Sequence, residues 1–126
     1  KLWVVFGAGG DRDAGKRAPM GAAAAQGADV VIVTSDNPRS ENAEAIASQV
    51  AAGAASAREL ITMVDRSGAI AHAIANAGPT DVVLIAGKGH ESYQIIGAER
   101  LPFSDLSQAR EALARRTGAT GGEWPH

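Results

Sequence analysis

One short apolar run constrains the fold more than any other part of the chain, because it ends abruptly in a charged loop. Residues 82–86 read V-V-L-I-A and are followed at once by G-K-G-H-E. Five apolar residues bounded by a Gly-Pro turn and by glycines are typical of a buried strand in a parallel sheet. Ligands of open α/β sheets bind beyond the carboxyl ends of such strands. We therefore expect Lys88, His90 and Glu91 to lie where a site would form.

Two further predicted strands end in loops of the same kind. The run at 2–6 leads to G-G-D-R-D at 9–13, and the run at 29–34 leads to D-N-P-R at 36–39. Parallel strands place their carboxyl ends at one edge of the sheet. The three charged loops should therefore share one rim.

The alternation of strands and helices predicts an α/β domain. Predicted strands at 2–6, 29–34, 60–64 and 82–86 alternate with helices near 19–27, 41–52 and 66–77, and we expect Asp105 to cap a last helix that runs to Arg116. This order favours a Rossmann-like, mostly parallel sheet with helices on both faces. Residues 94–96 and 100–103 flank Gly97 and predict an antiparallel hairpin at its edge. We assign 1–117 to one domain and 118–126 to a loose tail.

Composition excludes several functional classes. A formal net charge of −2 offers no electrostatic attraction to nucleic acid or to an anionic membrane, so we expect neither as a partner. The absence of cysteine excludes disulfides and thiolate metal sites, and it fits a cytoplasmic location. The chain opens directly on a strand with no leader, so we expect a domain of a longer protein.

The first loop invites a nucleotide-binding interpretation that its residues do not sustain. Residues 10–16 satisfy G-x-x-x-x-G-K, but Arg17 stands where a phosphate loop needs Ser or Thr for magnesium. The dinucleotide fingerprint fails because Arg12 occupies its third glycine position. Lys16 and a helix start could still form a corner that attracts anions, and a simple solvated turn is the alternative.

The second loop has the groups that recognise an amino acid. Asp36-Asn37-Pro38-Arg39 places a carboxylate, an amide and a guanidinium on a turn stiffened by proline. Arg39 suits a carboxylate, Asn37 can donate and accept, and Asp36 can bind an ammonium. The alternative is a turn satisfied internally by an Asp36–Arg39 pair.

The third loop offers an acid/base set without a metal or a nucleophile. Lys88, His90 and Glu91 could transfer protons, or His90 could serve a structural hydrogen bond. No serine occupies a nucleophile elbow, and the other two histidines, His72 and His126, are distant in sequence. We therefore assign no catalytic residue and no metal ligand.

Three motifs, in this order and at these intervals, resemble the C-terminal domain of the Mur ligase family. They are G-G-D-R-D-x-G-K-R-x-x-M at 9–20, T-x-D-N-P-R-x-E at 34–41 and A-G-K-G-H-E-x-Y-Q at 86–94, and the likeness extends from residue 2 to the helix ending near 116. The family's enzymes have domains for a uridine nucleotide, for ATP and for the incoming amino acid. This chain resembles the last. The resemblance implies an ATP-dependent amide ligase of peptidoglycan synthesis that proceeds through an acyl phosphate.

The resemblance also implies roles for single residues. The D-N-P-R pattern is associated with members that add meso-diaminopimelate to UDP-MurNAc-L-Ala-D-Glu. The positions that match the family's diaminopimelate contacts or shape its turn are Arg12, Asp36, Asn37, Pro38, Arg39, Gly87 and Glu91. Asp11 and Lys16 are expected to face the nucleotide, and Lys88 and His90 remain further candidates.

The resemblance places the cofactors mainly outside this chain. ATP and Mg²⁺ would be bound by the other two domains, whose phosphate loop and magnesium ligands have no match here. We therefore expect an isolated chain that folds as a monomer but does not ligate. Two alternatives stay open: a non-catalytic small-molecule binding module of doubly wound fold, and a degenerate nucleotide-binding protein that uses residues 10–16.

Overall fold

The computed structural model describes residues 1–88 and 91–117 of the chain. In chain order its elements are β1 (Leu2–Phe6), a 3₁₀ turn (Ala14–Lys16), α1 (Arg17–Gly27), β2 (Val30–Val33), α2 (Ala43–Gly53), β3 (Glu59–Thr62), α3 (Arg66–Asn76), β4 (Val82–Ile85), β5 (Tyr93–Ile96), β6 (Glu99–Pro102) and α4 (Asp105–Thr117). The predicted tail at 118–126 lies outside the described residues.

Four parallel strands form the central sheet in the order β3-β2-β1-β4. Val4 of β1 pairs with Val31 on one side and with Leu84 on the other. The strand order reverses at β1, so the gap between the carboxyl ends of β1 and β4 is a topological switch point. The predicted Rossmann-like sheet is confirmed.

Helices cover both faces of the sheet, as predicted. Successive strand residues point to opposite faces, so Trp3 and Val5 pack with Ile70 of α3, while Val4 and Phe6 pack on the other side. The second side is closed by α2, through its residues Ile46, Ala47 and Val50. Buried alanines of α3 and α4, namely Ala69, Ala73 and Ala112, keep those helices close to the sheet.

The antiparallel hairpin is confirmed, but its predicted place at the edge of the main sheet is not: β5 and β6 form a two-stranded sheet of their own. Its link to the domain is a parallel bridge between Arg39 and Ile96. The Arg39 amide donates to the Ile95 carbonyl at 3.0 Å, and the Gly97 amide donates to the Arg39 carbonyl at 2.6 Å. The hairpin is therefore fastened to the loop that follows β2.

The prediction of a buried strand at 82–86 is wrong in one respect. β4 lies at the edge of the sheet, where β1 is its hydrogen-bonded neighbour among the described strands. Val82 is 61% exposed and Leu84 is 50% exposed, whereas Val83 and Ile85 pack on the core. An apolar run shows that a segment is extended and partly buried, but its place in the sheet depends on distant strands.

Two helix starts differ from the prediction. α1 begins at Arg17, so Pro19 lies in the first turn. The N–H that proline lacks would have no intrahelical acceptor there, so its absence costs no hydrogen bond. The α4 start is capped by Ser104, whose hydroxyl accepts from the Ser107 amide at 3.3 Å, while Asp105 is the first helical residue. Among the described helices, none is long and apolar enough to cross a membrane.

Candidate functional site

The structure brings the three charged loops together at the carboxyl end of the sheet. The Gly10 amide after β1 donates to the Asn37 carbonyl after β2 at 2.7 Å. Lys88 after β4 reaches the Asn37 side chain, with Nζ 2.9 Å from Oδ1. Because β1 and β4 flank the switch point, the loops meet where an open α/β sheet binds its ligand.

Lys88 occupies the centre of this rim and is only 3% exposed. Its ammonium donates to the Asn37 Oδ1 and to the Tyr93 carbonyl, each at 2.9 Å. It also lies 3.0 Å from Asp36 Oδ1 and 3.6 Å from Glu91 Oε1. From the sequence, Lys88 was one of several acid/base candidates. The structure places it in the interior, where it is a counter-ion shared by Asp36 and Glu91.

Asn37 is buried and its amide is used inside the protein. Oδ1 accepts from Lys88 and from the Ile95 amide at 3.0 Å, while Nδ2 donates to Glu91 Oε1 at 3.4 Å. Gln94 adds a second link, since its Nε2 donates to Ser35 Oγ at 3.0 Å and to the Asp36 carbonyl at 2.6 Å. Strand β5 is therefore part of the site, and the sequence indicated this through Tyr93 and Gln94, the last two residues of the third motif.

Arg39 crosses from the second loop to the first. Its Nη1 donates to the Gly10 carbonyl at 2.9 Å and to the Asn37 carbonyl at 3.4 Å. Nε and Nη2 make no hydrogen bond within the described ranges. The internal Asp36–Arg39 pair does not form there, because the Asp36 carboxylate contacts Lys88 instead. The Arg39 guanidinium is thus held through Nη1, while Nε and Nη2 remain available to a ligand.

Two positions at the rim require glycine. A β-carbon on Gly10 would lie 1.8 Å from the Pro38 carbonyl oxygen, so the first and second loops touch through bare backbone. Gly87 has φ of +108°, a conformation that other residues rarely adopt. This conformation turns the chain from β4 toward Lys88.

A cavity of about 420 Å³ opens beside the first loop, and its charged lining residues include Arg12, Lys16 and Asp36. Arg12 and Lys16 are exposed, so both cations face this space without being buried. A larger cavity of about 610 Å³ lies elsewhere, between α3, β4 and α4, and is lined mainly by apolar side chains. The smaller cavity is the one that belongs to the charged rim.

The segment 10–16 does not offer a phosphate cradle. The Asp11 amide donates to Glu41 Oε2 at 2.6 Å, the Gly15 amide donates to Asp13 Oδ1 at 2.9 Å, and the Lys16 amide donates to the Asp13 carbonyl. Phosphate loops bind their ligand with free backbone amides. Protein oxygens already occupy these three, which argues against a degenerate nucleotide-binding loop.

The Asp11 carboxylate faces the second loop, where its Oδ1 accepts from the Ser40 hydroxyl at 2.5 Å. The side chain that joins these loops most firmly is Arg17, which is 2% exposed and donates to both Glu41 oxygens, at 2.7 and 3.1 Å. The Arg17 hydrogen bond, with a second from the Asp11 amide, lowers the pKa of Glu41. The same contact with Glu41 raises the pKa of Arg17. In the sequence, Arg17 breaks the phosphate-loop pattern and belongs to the first family motif, but nothing there indicates its partner Glu41.

Arg66 is a second residue that the sequence did not reveal. It is 1% exposed, and it donates to the Ser35 carbonyl at 2.9 Å and to the Ala86 carbonyl at 3.1 Å. It thereby joins the ends of β2 and β4, from which two of the site loops depart. Nothing in its helical sequence context distinguishes it from a surface arginine.

Two further predicted residues, Glu91 and His90, follow Lys88 in the third loop. Glu91 is partly exposed, its side chain retaining 39% of its accessible surface, and both of its recorded side-chain contacts use Oε1. His90 lies outside the described residues. Within the part of the chain that is described, no group of three or more potential ligands could hold a metal ion.

Doubly wound α/β domains typically bind small molecules at the switch point of the sheet, where the charged loops of this chain lie. A family model described as "Mur ligase, glutamate ligase domain" matches residues 1–89. The chain therefore belongs to the Mur ligase family.

Its relatives share one description. The chain is 58% identical over 118 residues to the UDP-N-acetylmuramoyl-L-alanyl-D-glutamate–2,6-diaminopimelate ligase of Acidovorax sp. (strain JS42), covering 94% of this chain and 24% of that protein. It is 54% identical over 116 residues to the enzyme of the same description from Parasynechococcus marenigrum (strain WH8102), covering 92% of this chain and 23% of that protein. A solved structure of a ligase of that description superposes with a TM-score of 0.86 at 44% identity, covering 93% of this chain and 24% of the other. The chain thus spans about a quarter of the length of the relatives it matches.

Proposed function

We propose that this chain is the amino-acid-binding domain of an ATP-dependent ligase that adds meso-diaminopimelate to UDP-MurNAc-L-Ala-D-Glu in peptidoglycan synthesis. The descriptions of its relatives support this assignment. The observation that carries it is the joint placement of Arg39 and Glu91 beside Asn37 at one rim. A guanidinium and a carboxylate there match the carboxylate and ammonium of an amino-acid head.

Diaminopimelate has two such heads, and the rim would hold the distal one. Arg39, anchored through Nη1, presents Nε and Nη2 to the distal carboxylate. Glu91, whose recorded contacts use Oε1, presents Oε2 to the distal ammonium, and the Gly87 carbonyl is a second acceptor. Arg12 would add a cation at the outer side of the site. Asp36 and Pro38 flank Asn37 and form the turn that holds it. L-Lysine lacks the distal carboxylate, so Arg39 is the residue that would discriminate between the two substrates.

The residues of this chain fit ATP and Mg²⁺ poorly by themselves. Three amides of the first loop, those of Asp11, Gly15 and Lys16, are occupied, and no metal-ligand cluster exists among the described residues. We assign the binding of ATP and Mg²⁺ mainly to other domains of the enzyme, with Lys16 and Asp11 facing the nucleotide from this side. The ligase would act in the cytoplasm as a monomer.

In the proposed reaction ATP phosphorylates the D-Glu carboxylate, and the amine of the proximal head attacks the acyl phosphate. ADP leaves in the first step; in the second step an amide bond forms, the amine loses a proton and inorganic phosphate leaves. The contribution of this chain is to hold the distal head, so that the reacting amine is oriented without being contacted by Arg39 or Glu91.

A chimera tests the proposal. Residues 1–117 would replace the matching quarter of the Acidovorax relative, and product formation would be measured with meso-diaminopimelate and with L-lysine. We expect ligation of meso-diaminopimelate and poor use of L-lysine. The isolated chain should neither form the amide nor hydrolyse ATP. A chimera that prefers L-lysine, or that binds diaminopimelate in calorimetry without ligating it, would overturn the assignment, and the second outcome would favour a non-catalytic binding module.

A further inference from the structure

Lys88 carries a buried charge that is both hydrogen-bonded and ion-paired. An ammonium has three hydrogens and no acceptor capacity. Nζ of Lys88 has two hydrogen bonds at 2.9 Å and an ion pair at 3.0 Å, and its side chain is 0% exposed. A buried cation is tolerated when it is paired and hydrogen-bonded in this way. Lys88 has no open side toward a ligand, so direct contact with substrate is not its role.

The partners of Lys88 come from two parts of the chain, the turn after β2 and the stretch 91–93 that leads into β5. Asp36 and Asn37 belong to the turn after β2, Glu91 follows β4, and Tyr93 begins β5. One ammonium therefore fixes these segments relative to each other. The orientation of the Asn37 amide depends on it directly, and that amide in turn contacts Glu91.

The two carboxylates beside Lys88 are not equivalent. Asp36 Oδ1 is buried and accepts no hydrogen bond from the residues that the structure describes, so the nearby ammonium is what compensates its charge. Glu91 is more exposed and lies farther from Nζ, at 3.6 Å against 3.0 Å. Lys88 therefore compensates mainly the charge of Asp36. The Glu91 carboxylate remains able to pair with a cation that binds at the rim.

We propose that Lys88 is a positioning residue that presets Asn37 and Glu91 for the ammonium of the incoming amino acid, acting through these two side chains rather than by touching the substrate. This inference rests on the proposed function. It assigns a role to a residue that is otherwise a simple acid/base candidate.

The test uses the active chimera and two variants. Lys88→Met removes the charge and leaves Asp36 buried without a counter-ion, so it also destabilises the fold. The double variant Asp36→Asn/Lys88→Met removes both charges of the pair and keeps a comparable volume. We expect the double variant to recover the Tm lost in Lys88→Met, while KM for meso-diaminopimelate stays raised about tenfold or more in both. We expect kcat to stay within a few-fold, because ground state and transition state lose the same contact.

A purely structural role predicts a different result: the double variant would then recover Tm and KM together. That outcome, or a normal KM in Lys88→Met, would overturn the inference while leaving the proposed function standing. The control is Arg58→Met, which breaks the exposed Arg58–Asp29 ion pair and should change neither quantity. A parent chimera that fails to ligate meso-diaminopimelate would overturn the proposed function and this inference together.

Discussion

Arg66 and Asp105 form a bidentate ion pair in the interior, with Nε 2.8 Å from Oδ1 and Nη2 2.7 Å from Oδ2. The same guanidinium donates to the ends of β2 and β4, so the start of α4 is tied to the base of the site. Removing one member of such a pair leaves an uncompensated buried charge.

Asp105→Ala should therefore destabilise the fold by about 3–5 kcal/mol. Urea unfolding of the chain measures this loss. The matched control is Arg58→Met at the surface, where the Arg58 side chain is 84% exposed and the ion pair should contribute about 0–1 kcal/mol. If both variants unfold at the same urea concentration, the interior pair contributes no more than the surface one.

Arg39→Ala should raise KM for meso-diaminopimelate by about tenfold or more in the chimera, because the distal carboxylate loses a charged donor at a cost of about 1–3 kcal/mol. Arg39→Lys is the matched control, since it keeps the charge and loses the two-pronged geometry. We expect an intermediate KM for it. Normal use of diaminopimelate by Arg39→Ala would show that the residue serves the turn alone.

Glu91→Gln should raise KM for the amino acid and leave kcat within a few-fold, because a binding contact is lost equally from ground and transition states. A general base would behave differently, with kcat falling by about 10²–10⁴-fold at nearly constant KM. Steady-state kinetics from neutral to alkaline pH separate the two roles. We expect the binding result, since the reacting amine is at the other head of the molecule.

Asp81 should make the fold sensitive to acid. Hydrogen bonds from the Gly78 amide and from the Trp3 indole lower its pKa from 3.8 to about 2. A lowered pKa means that the native state favours the carboxylate, so this stabilisation is complete above pH 3.8 and is lost as the pH falls toward 2.

Thermal unfolding of the parent chain and of Asp81→Asn measures this effect. The difference in Tm between them should be constant above about pH 4 and should shrink at lower pH. Parallel curves over the whole acid range would show that Asp81 is not linked to folding.

The placement of the candidate site could be predicted because it depends on a general property of parallel sheets. Strands β1, β2 and β4 were readable as apolar runs, and their carboxyl ends had to meet at one edge. The hairpin was readable from its turn at Gly97. These features are local in sequence, or they follow from topology alone.

The parts that could not be predicted are contacts between side chains far apart in sequence. Arg17 meets Glu41 across 24 positions, and Arg66 meets Asp105 across 39. A helical arginine has the same local pattern whether its guanidinium is exposed or buried. The edge position of β4 could not be predicted for a related reason, because the order of strands in a sheet is decided by all the strands together.

The hairpin has little holding it in place apart from the bonds that build the site. All four residues of β6 are exposed, and β5 is fastened through Ile95 to Asn37 and Arg39 and through the Tyr93 carbonyl to Lys88. Detachment of the hairpin and disassembly of the candidate site are consequently one local opening event. The Ile95 amide hydrogen, which donates to Asn37, is exposed by this local opening as well as by global unfolding. Where it exchanges faster than the core amides of β2, its exchange rate reports the fraction of molecules whose site is open.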